Sequence, residues 1–143
     1  MRVAFINPPF LPNYSRGQRS PAVTRSGTLY YPLWLAYAAC HAERLGHQIL
    51  LLDAPAGEFD REESLSRLAK FAPDIAFVET ATPSIDNDLM FAADLKRALS
   101  GCRVFACGTH VSALPGQSLW QVPLLDGIII GEYEIPLENI LRA

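Results

Sequence analysis

Four short segments carry side chains with the means to bind or react: Asn7-Pro8-Pro9-Phe10, Thr80-Ala81-Thr82-Pro83-Ser84, Cys107-Gly108-Thr109-His110 and Gly131-Glu132-Tyr133-Glu134. Each follows a short apolar run. Small residues and glycine at such places let a flat or bulky ligand approach the backbone closely. Hydroxyls beside a helix N-terminus can hydrogen-bond a polar ligand group. The same residue types are also ordinary formers of caps and turns, so composition alone leaves both readings open. The long segment from Asn7 to Tyr31 speaks for a ligand, because structureless stretches beyond about 12–15 residues are usually functional or disordered.

Several common chemistries fail on the residues present. A phosphate-binding Walker loop needs its glycines and lysine after the first strand, and Asn-Pro-Pro-Phe cannot supply that nest of donors. A dinucleotide fingerprint is missing for the same reason. A phospho-acceptor receiver needs a carboxylate cluster and a late lysine, where this chain has Asn7, Glu79 and Gly131-Glu132. His41 and His47 fall on a helix and at the entry to a strand, and read as structural or solvated. His110 sits in a strand-end loop, but no Ser-His-Asp or Cys-His pairing is legible around it. Glu132 and Glu134 would suit a carboxylate pair, although helix N-terminal capping is the more ordinary role. Cys40, Cys102 and Cys107 lack metal-ligand spacing and read as reduced, core-filling thiols of a cytoplasmic protein. No catalytic residue and no metal ligand is assigned.

The elements that must position these segments alternate along the chain. Arg2–Ile6, Gln48–Leu52, Ile75–Val78, Arg103–Ala106 and Gly127–Ile130 are short apolar runs closed by proline, glycine or aspartate, which marks strands. Helical periodicity covers Pro32–Leu45, Arg61–Phe71 and Ile85–Leu99, with a short turn near Gly116–Trp120 and a last helix from about Ile135. Asp60 and Glu63 are spaced almost as a capping box. Strands apolar on both faces and separated by helices indicate a parallel sheet covered on both sides. Right-handed crossovers then give a doubly wound, Rossmann-like α/β fold, with five parallel strands in flavodoxin-type order 2-1-3-4-5. Residues 7–31 are expected to form one loop, mobile over 11–30 when the domain is alone.

Length and charge agree with one domain. The chain has 143 residues, half of them hydrophobic and 19% charged; at this size a domain buries roughly 68–70% of its unfolded surface. A formal charge of −3 gives no attraction to nucleic acid. No apolar run approaches the ~20 residues of a membrane span.

In order and spacing, Asn7-Pro8-Pro9, Tyr31-Pro32-Leu33-Trp34-Leu35-Ala36-Tyr37, Gly46-His47-Gln48 and Asp53-Ala54 form a series. It continues through Pro73-Asp74, Thr80-Ala81-Thr82-Pro83, Gly108-Thr109-His110, Ala113-Leu114-Pro115 and Gly131-Glu132-Tyr133-Glu134. The series resembles the N-terminal cobalamin-binding domain of cobalamin-dependent radical S-adenosylmethionine enzymes, over nearly the whole chain. The resemblance implies a corrin laid across the strand ends, with its nucleotide tail inserted near the switch point. Asn7, Pro8, Pro9 and Phe10 would then face the corrin. Thr80, Ala81 and Thr82 would line the tail pocket beside Gly108, Thr109 and His110, and Gly131, Glu132, Tyr133 and Glu134 would close the far side. The Asp-x-His-x-x-Gly motif is absent, so no cobalt ligand is implied.

Two departures stand out. Related members carry two glycines where this chain has Cys107-Gly108, and a glycine at Tyr133; Cys107 adds bulk beside the expected tail pocket and Tyr133 narrows the last loop. The Cys-x-x-x-Cys-x-x-Cys of an iron–sulfur cluster is also missing. The resemblance therefore implies that residues 1–143 are one domain, the N-terminal part of a longer radical S-adenosylmethionine protein. The [4Fe-4S] cluster and S-adenosylmethionine would belong to a catalytic domain on the same polypeptide, and this domain alone would not be catalytic. The alternative is a domain that keeps the fold without cobalamin and serves as a docking or substrate-gating surface for that catalytic domain.

Overall fold

In the computed structural model, residues 1–17 and 21–143 are described. Strand β1 (Arg2–Asn7) leads to a small hairpin, β2 (Tyr14–Ser15) and β3 (Ala22–Val23), and then to α1 (Leu33–Arg44) and β4 (Gln48–Asp53). Next come α2 (Arg61–Phe71), β5 (Ile75–Thr80), a 3₁₀ turn (Thr82–Ser84), α3 (Ile85–Ala98) and β6 (Arg103–Gly108). The chain ends with α4 (Thr109–Ala113), α5 (Pro115–Gln121), β7 (Gly127–Ile128) and α6 (Glu134–Arg142). The main sheet has five strands in the order β4-β1-β5-β6-β7, all paired in parallel. That is the expected 2-1-3-4-5 order, and it puts the switch point between β1 and β5.

Side-chain alternation explains the layers. Ala4 and Ile6 of β1, Ala76 and Val78 of β5, and Val104 and Ala106 of β6 join Leu68 of α2 and the buried stripe of α3. Val3, Phe5, Ile75, Phe77, Phe105 and Cys107 face the other way, against Leu35, Ala38 and Ala42 of α1 and Leu137 and Leu141 of α6. On that second face Phe5, Phe77 and Phe105 stack as a ladder, with ring centroids 5.2 and 5.6 Å apart. Offset aromatic stacks of this spacing add to the stabilisation from apolar burial itself. Gly127 ends the ladder, since a Cβ there would sit 3.1 Å from the Phe105 ring. The Asp60 carboxylate caps α2, accepting from Glu63 N–H at 2.8 Å, as its spacing predicts.

Three expectations need correction. The last strand is two residues long rather than four, because Ile130 is exposed and the chain turns at Gly131 with φ +79°. Thr109–Ala113 is a helix, where the sequence showed only a loop. The segment after β1 is not one plain loop: it contains the β2–β3 hairpin, and Tyr14, Ser15 and Arg16 are buried. The expected mobility of 11–30 falls partly on 18–20, which lie outside the described residues.

Arg16 is the anchor of that segment. Its guanidinium pairs with the Asp88 carboxylate on α3, and both side chains are almost fully buried, at 1% and 0% exposure. It also donates to Asn7 Oδ1 at 2.9 Å and to the Pro8 carbonyl at 2.6 Å. Asp88 accepts further bonds from Ser84 Oγ at 2.6 Å and from Ala81 N–H at 3.2 Å. A buried pair of this kind is tolerated because every charged atom finds a partner. Removing one member strands the other. Arg16→Met is expected to cost roughly 3–5 kcal/mol in urea unfolding, with partial recovery when Asp88→Leu is added. A loss below about 1 kcal/mol would show the pair behaving like an exposed one.

Candidate functional site

Helices cover both faces of the sheet, so the carboxyl ends of its strands are where polar groups gather. One step above the phenylalanine ladder, the same face turns polar. Asp53 stands beside Asn7 in register, and Glu79 beside Cys107. The β1–β5 register, which pairs Ile6 with Val78, puts Asn7 next to Glu79 when carried one step further. Asn7 Nδ2 donates to Asp53 Oδ1 at 2.8 Å. Burial raises the Asp53 pKa, against the opposing effect of its bonds from Asn7 and Ala56 and of the Arg16 charge.

Glu79 is the exception in this row. It is buried, and its Oε2 has no hydrogen-bond partner. Desolvation pushes its carboxyl up to about 7; the Arg16 charge opposes this, while Asp88 and Asp53 add to it. Cys107 beside it is fully enclosed, and burial drives its thiol far above the usual range.

The β6 end fits only glycine at position 108. Gly108 has φ +114°, and a Cβ there would lie 2.3 Å from the Thr80 carbonyl oxygen. Thr80 Oγ1 in turn donates to the Cys107 carbonyl at 2.8 Å, which locks β5 to β6 at their last residues. Ser112 then joins two loops: its hydroxyl donates to the Gly108 carbonyl at 2.7 Å and accepts from Gly131 N–H at 3.0 Å.

Between these loops lies a cavity of about 620 Å³. Gly108, Thr109, Ser112 and Ala113 line it on one side, Gly131 through Glu134 on the other, and Trp34 from the start of α1 faces it. Its size lies within the usual range for small-molecule and cofactor sites, roughly 300–1,000 Å³. Trp34 is 66% exposed, so a large apolar surface stands open at the site.

The residues singled out from sequence divide into two groups. Gly108, Thr109, Gly131, Glu132, Tyr133 and Glu134 come together around the cavity. Asn7, Pro8, Pro9, Phe10, Thr80, Ala81, Thr82 and His110 do not line it. Asn7 and Pro8 are engaged by Arg16, and Phe10 packs edge-on against Tyr14. Thr80 and Ala81 are buried, and His110 Nδ1 lies 3.3 Å from Thr82 Oγ1. Cys107 points into the apolar cluster under α1 and α6 and is not part of the cavity wall. Ser112, Ala113 and Trp34 line the cavity without having been singled out as site residues. Trp34 and Ala113 stood within the quoted series; Ser112 had no signal short of its helix.

A doubly wound sheet with a roomy cavity at its strand ends has the architecture in which α/β domains hold small molecules and cofactors. Comparison with known proteins makes this specific: over residues 19–141 the chain matches the B12 binding domain family, and it belongs to that family. It is 28% identical over its full length to an anaerobic magnesium-protoporphyrin IX monomethyl ester cyclase of Cereibacter sphaeroides, covering 22% of that protein. A cyclase of the same name from Rubrivivax gelatinosus is 26% identical over the full chain, with 24% of that protein covered. An uncharacterised methyltransferase of Pyrococcus horikoshii is 26% identical over 82% of the chain and 25% of its own length. The chain thus spans about a quarter of each of these relatives. No helix among the described residues is long and apolar enough to cross a membrane.

The buried carboxyl of Glu79 has a measurable consequence. Its folded-state pKa is raised, so between about pH 4.5 and 7 the folded chain keeps a proton that the unfolded chain releases, and stability falls as pH rises through that window. Glu79→Gln removes this dependence. Its stability relative to the native chain is expected to rise by roughly 3 kcal/mol from pH 4.5 to 7.5, read by urea unfolding. A gap that stays constant with pH would mean Glu79 titrates as an ordinary carboxylate.

Proposed function

We propose that this domain holds cobalamin for a longer radical S-adenosylmethionine enzyme, with the corrin lying over the strand ends at the cavity between Gly108 and Gly131. The observation that carries the reading is the cavity itself, in a chain of the B12 binding domain family. Gly108, Thr109, Ser112, Ala113 and Gly131 make part of its wall from small residues, which lets a bulky ligand come close to the backbone there. Gly131 has open space where a Cβ would be. Trp34 supplies an apolar flank, and Glu132 and Glu134 supply carboxylates at the rim. Asn7 to Phe10 would lie at the edge of a corrin larger than the cavity, and Thr80 to Thr82 with His110 on the side toward the switch point.

When bound, cobalamin would supply alkyl-transfer or radical chemistry at its metal; the chain's own part is to bind, orient and shield it. The relatives, by name a methyltransferase and ester cyclases, suit such chemistry in a full-length protein. The [4Fe-4S] cluster and S-adenosylmethionine would be held by the catalytic domain of the same polypeptide. Exposed Tyr31, Trp34, Tyr37, Ile130 and Ile135 give that domain an apolar surface to cover. The same surface favours the second reading, a docking domain without cobalamin.

A titration with hydroxocobalamin, followed by desalting and visible absorbance, separates the two. The cobalamin reading predicts retention near one to one. It also predicts that Ala113→Trp, which fills the cavity from an exposed helical position, weakens binding at least about tenfold with the fold intact. A folded native chain that retains no cobalamin would favour the docking reading.

A further inference from the structure

The two edges of the sheet differ. At one edge β7 is two residues long and the chain turns away at Gly131, which leaves little open backbone. At the other edge β4 runs for six residues, Gln48 to Asp53, and pairs only with β1. Its register with β1 is unbroken, so no bulge interrupts it. It holds no proline, lysine, arginine or glutamate, residues of the kind that guard an open edge. Gln48 and Ala54 donate their N–H groups to the Met1 and Asn7 carbonyls on the β1 side. These directions alternate along a strand, so Ile49, Leu51 and Asp53 aim their N–H groups outward. Among the described residues, no group of the fold accepts from them.

The side chains are cut off at the same place. Leu51 stands in register with Phe5, Phe5 with Phe77 and Phe77 with Phe105, so one apolar row crosses the sheet on the α1 and α6 face. Phe5 and Phe77 are 1% exposed, but Leu51 at the end of the row is 40% exposed. A second copy of the chain supplies both missing parts. Turned about a two-fold axis at Leu51, its β4 lies antiparallel and presents the same outward groups. The two Leu51 residues then exchange N–H to C=O hydrogen bonds, and each Asp53 N–H meets the Ile49 carbonyl of the other copy. Leu51 meets Leu51 on one face and Leu50 meets Leu52 on the other, so no like charges oppose each other. A register shifted by one residue would set opposite faces against each other.

We propose that β4 is a self-pairing edge: two copies of the chain join antiparallel through Gln48–Asp53, centred on Leu51, and their sheets become one. The occupant is a second copy because the outward backbone groups are their own complement under that axis, and the apolar row of each copy ends at the same residue. β7 is too short to be paired in this way, and β4 is left open. β1 and β5 separate this edge from the β6 and β7 ends where the cavity lies, so the pairing does not depend on a ligand.

Sedimentation velocity over a concentration series, together with disulfide trapping, tests the pairing. The native chain is expected to show a monomer–dimer equilibrium. Leu51→Lys puts a charge at a partly exposed edge position. It is expected to move the midpoint at least about tenfold to higher concentration, with the circular dichroism spectrum unchanged. For trapping, Cys40→Ser removes the exposed thiol, while Cys102 and Cys107 are buried. In that background Leu51→Cys faces its own copy at about 5.5 Å between Cα atoms, within disulfide reach. It is expected to give a linked dimer under mild oxidation with copper–phenanthroline. Ile49→Cys lies on the same edge and the same face but opposes Asp53 of the other copy, so it is expected to stay unlinked. A native chain that remains monomeric throughout, a dimer that Leu51→Lys leaves intact, or equal linking of the two cysteine variants would each overturn the proposal.

Discussion

A parallel sheet that is apolar on both faces must hide both, and this chain does so with α2 and α3 on one side and α1 and α6 on the other. The strands then offer a ligand only their ends. Because all five run in the same direction, every β-to-α turn that could carry a ligand group emerges at one rim. The site is a product of that topology. β5 and β6 are locked there by the Thr80–Cys107 bond and by the close approach that excludes any side chain at Gly108. Ser112 then ties the β6 loop to the β7 loop and fixes the two sides of the cavity.

The segment after β1 is held by different physics. Beside the buried Tyr14 ring it is fastened by charge: Arg16 reaches Asp88 on α3 and joins Asn7 to the start of that helix. Asp88 lies in the first turn of α3, where the helix dipole favours a carboxylate. The polar row above the phenylalanine ladder contains one hydrogen-bonded pair, Asn7 and Asp53, and one acid with an unpaired oxygen, Glu79. Arg16 and Asp88 hold the loop in place, while Glu79 stays buried with one carboxyl oxygen unpaired.

Apolar runs, proline stops and the Asp60 cap made the strands, their order and the long helices legible, because these depend on local pattern. The Arg16–Asp88 pair was not legible, since its members are 72 residues apart and each looks like a solvated charge in its own neighbourhood. Glu79 was visible only as a residue that spoiled a receiver site. Its burial follows from β5 sitting between β1 and β6, which no local pattern states. The bulk of Cys107 was readable, but its direction was not. Strand parity turns it toward α1 and α6, away from the cavity wall and into contact with Tyr133. His110 and Thr82 were placed correctly at the strand ends, and the short α4 helix then turned His110 toward Thr82 rather than the cavity.

The central claim is that the ligand sits at the β6 and β7 ends. Hydrogen-exchange mass spectrometry of the chain with and without hydroxocobalamin tests it most directly. The account predicts slower exchange in residues 108–113 and 131–137 on binding, with α2 unchanged. Protection confined to α2 and the strand starts, with none at those two loops, would contradict it.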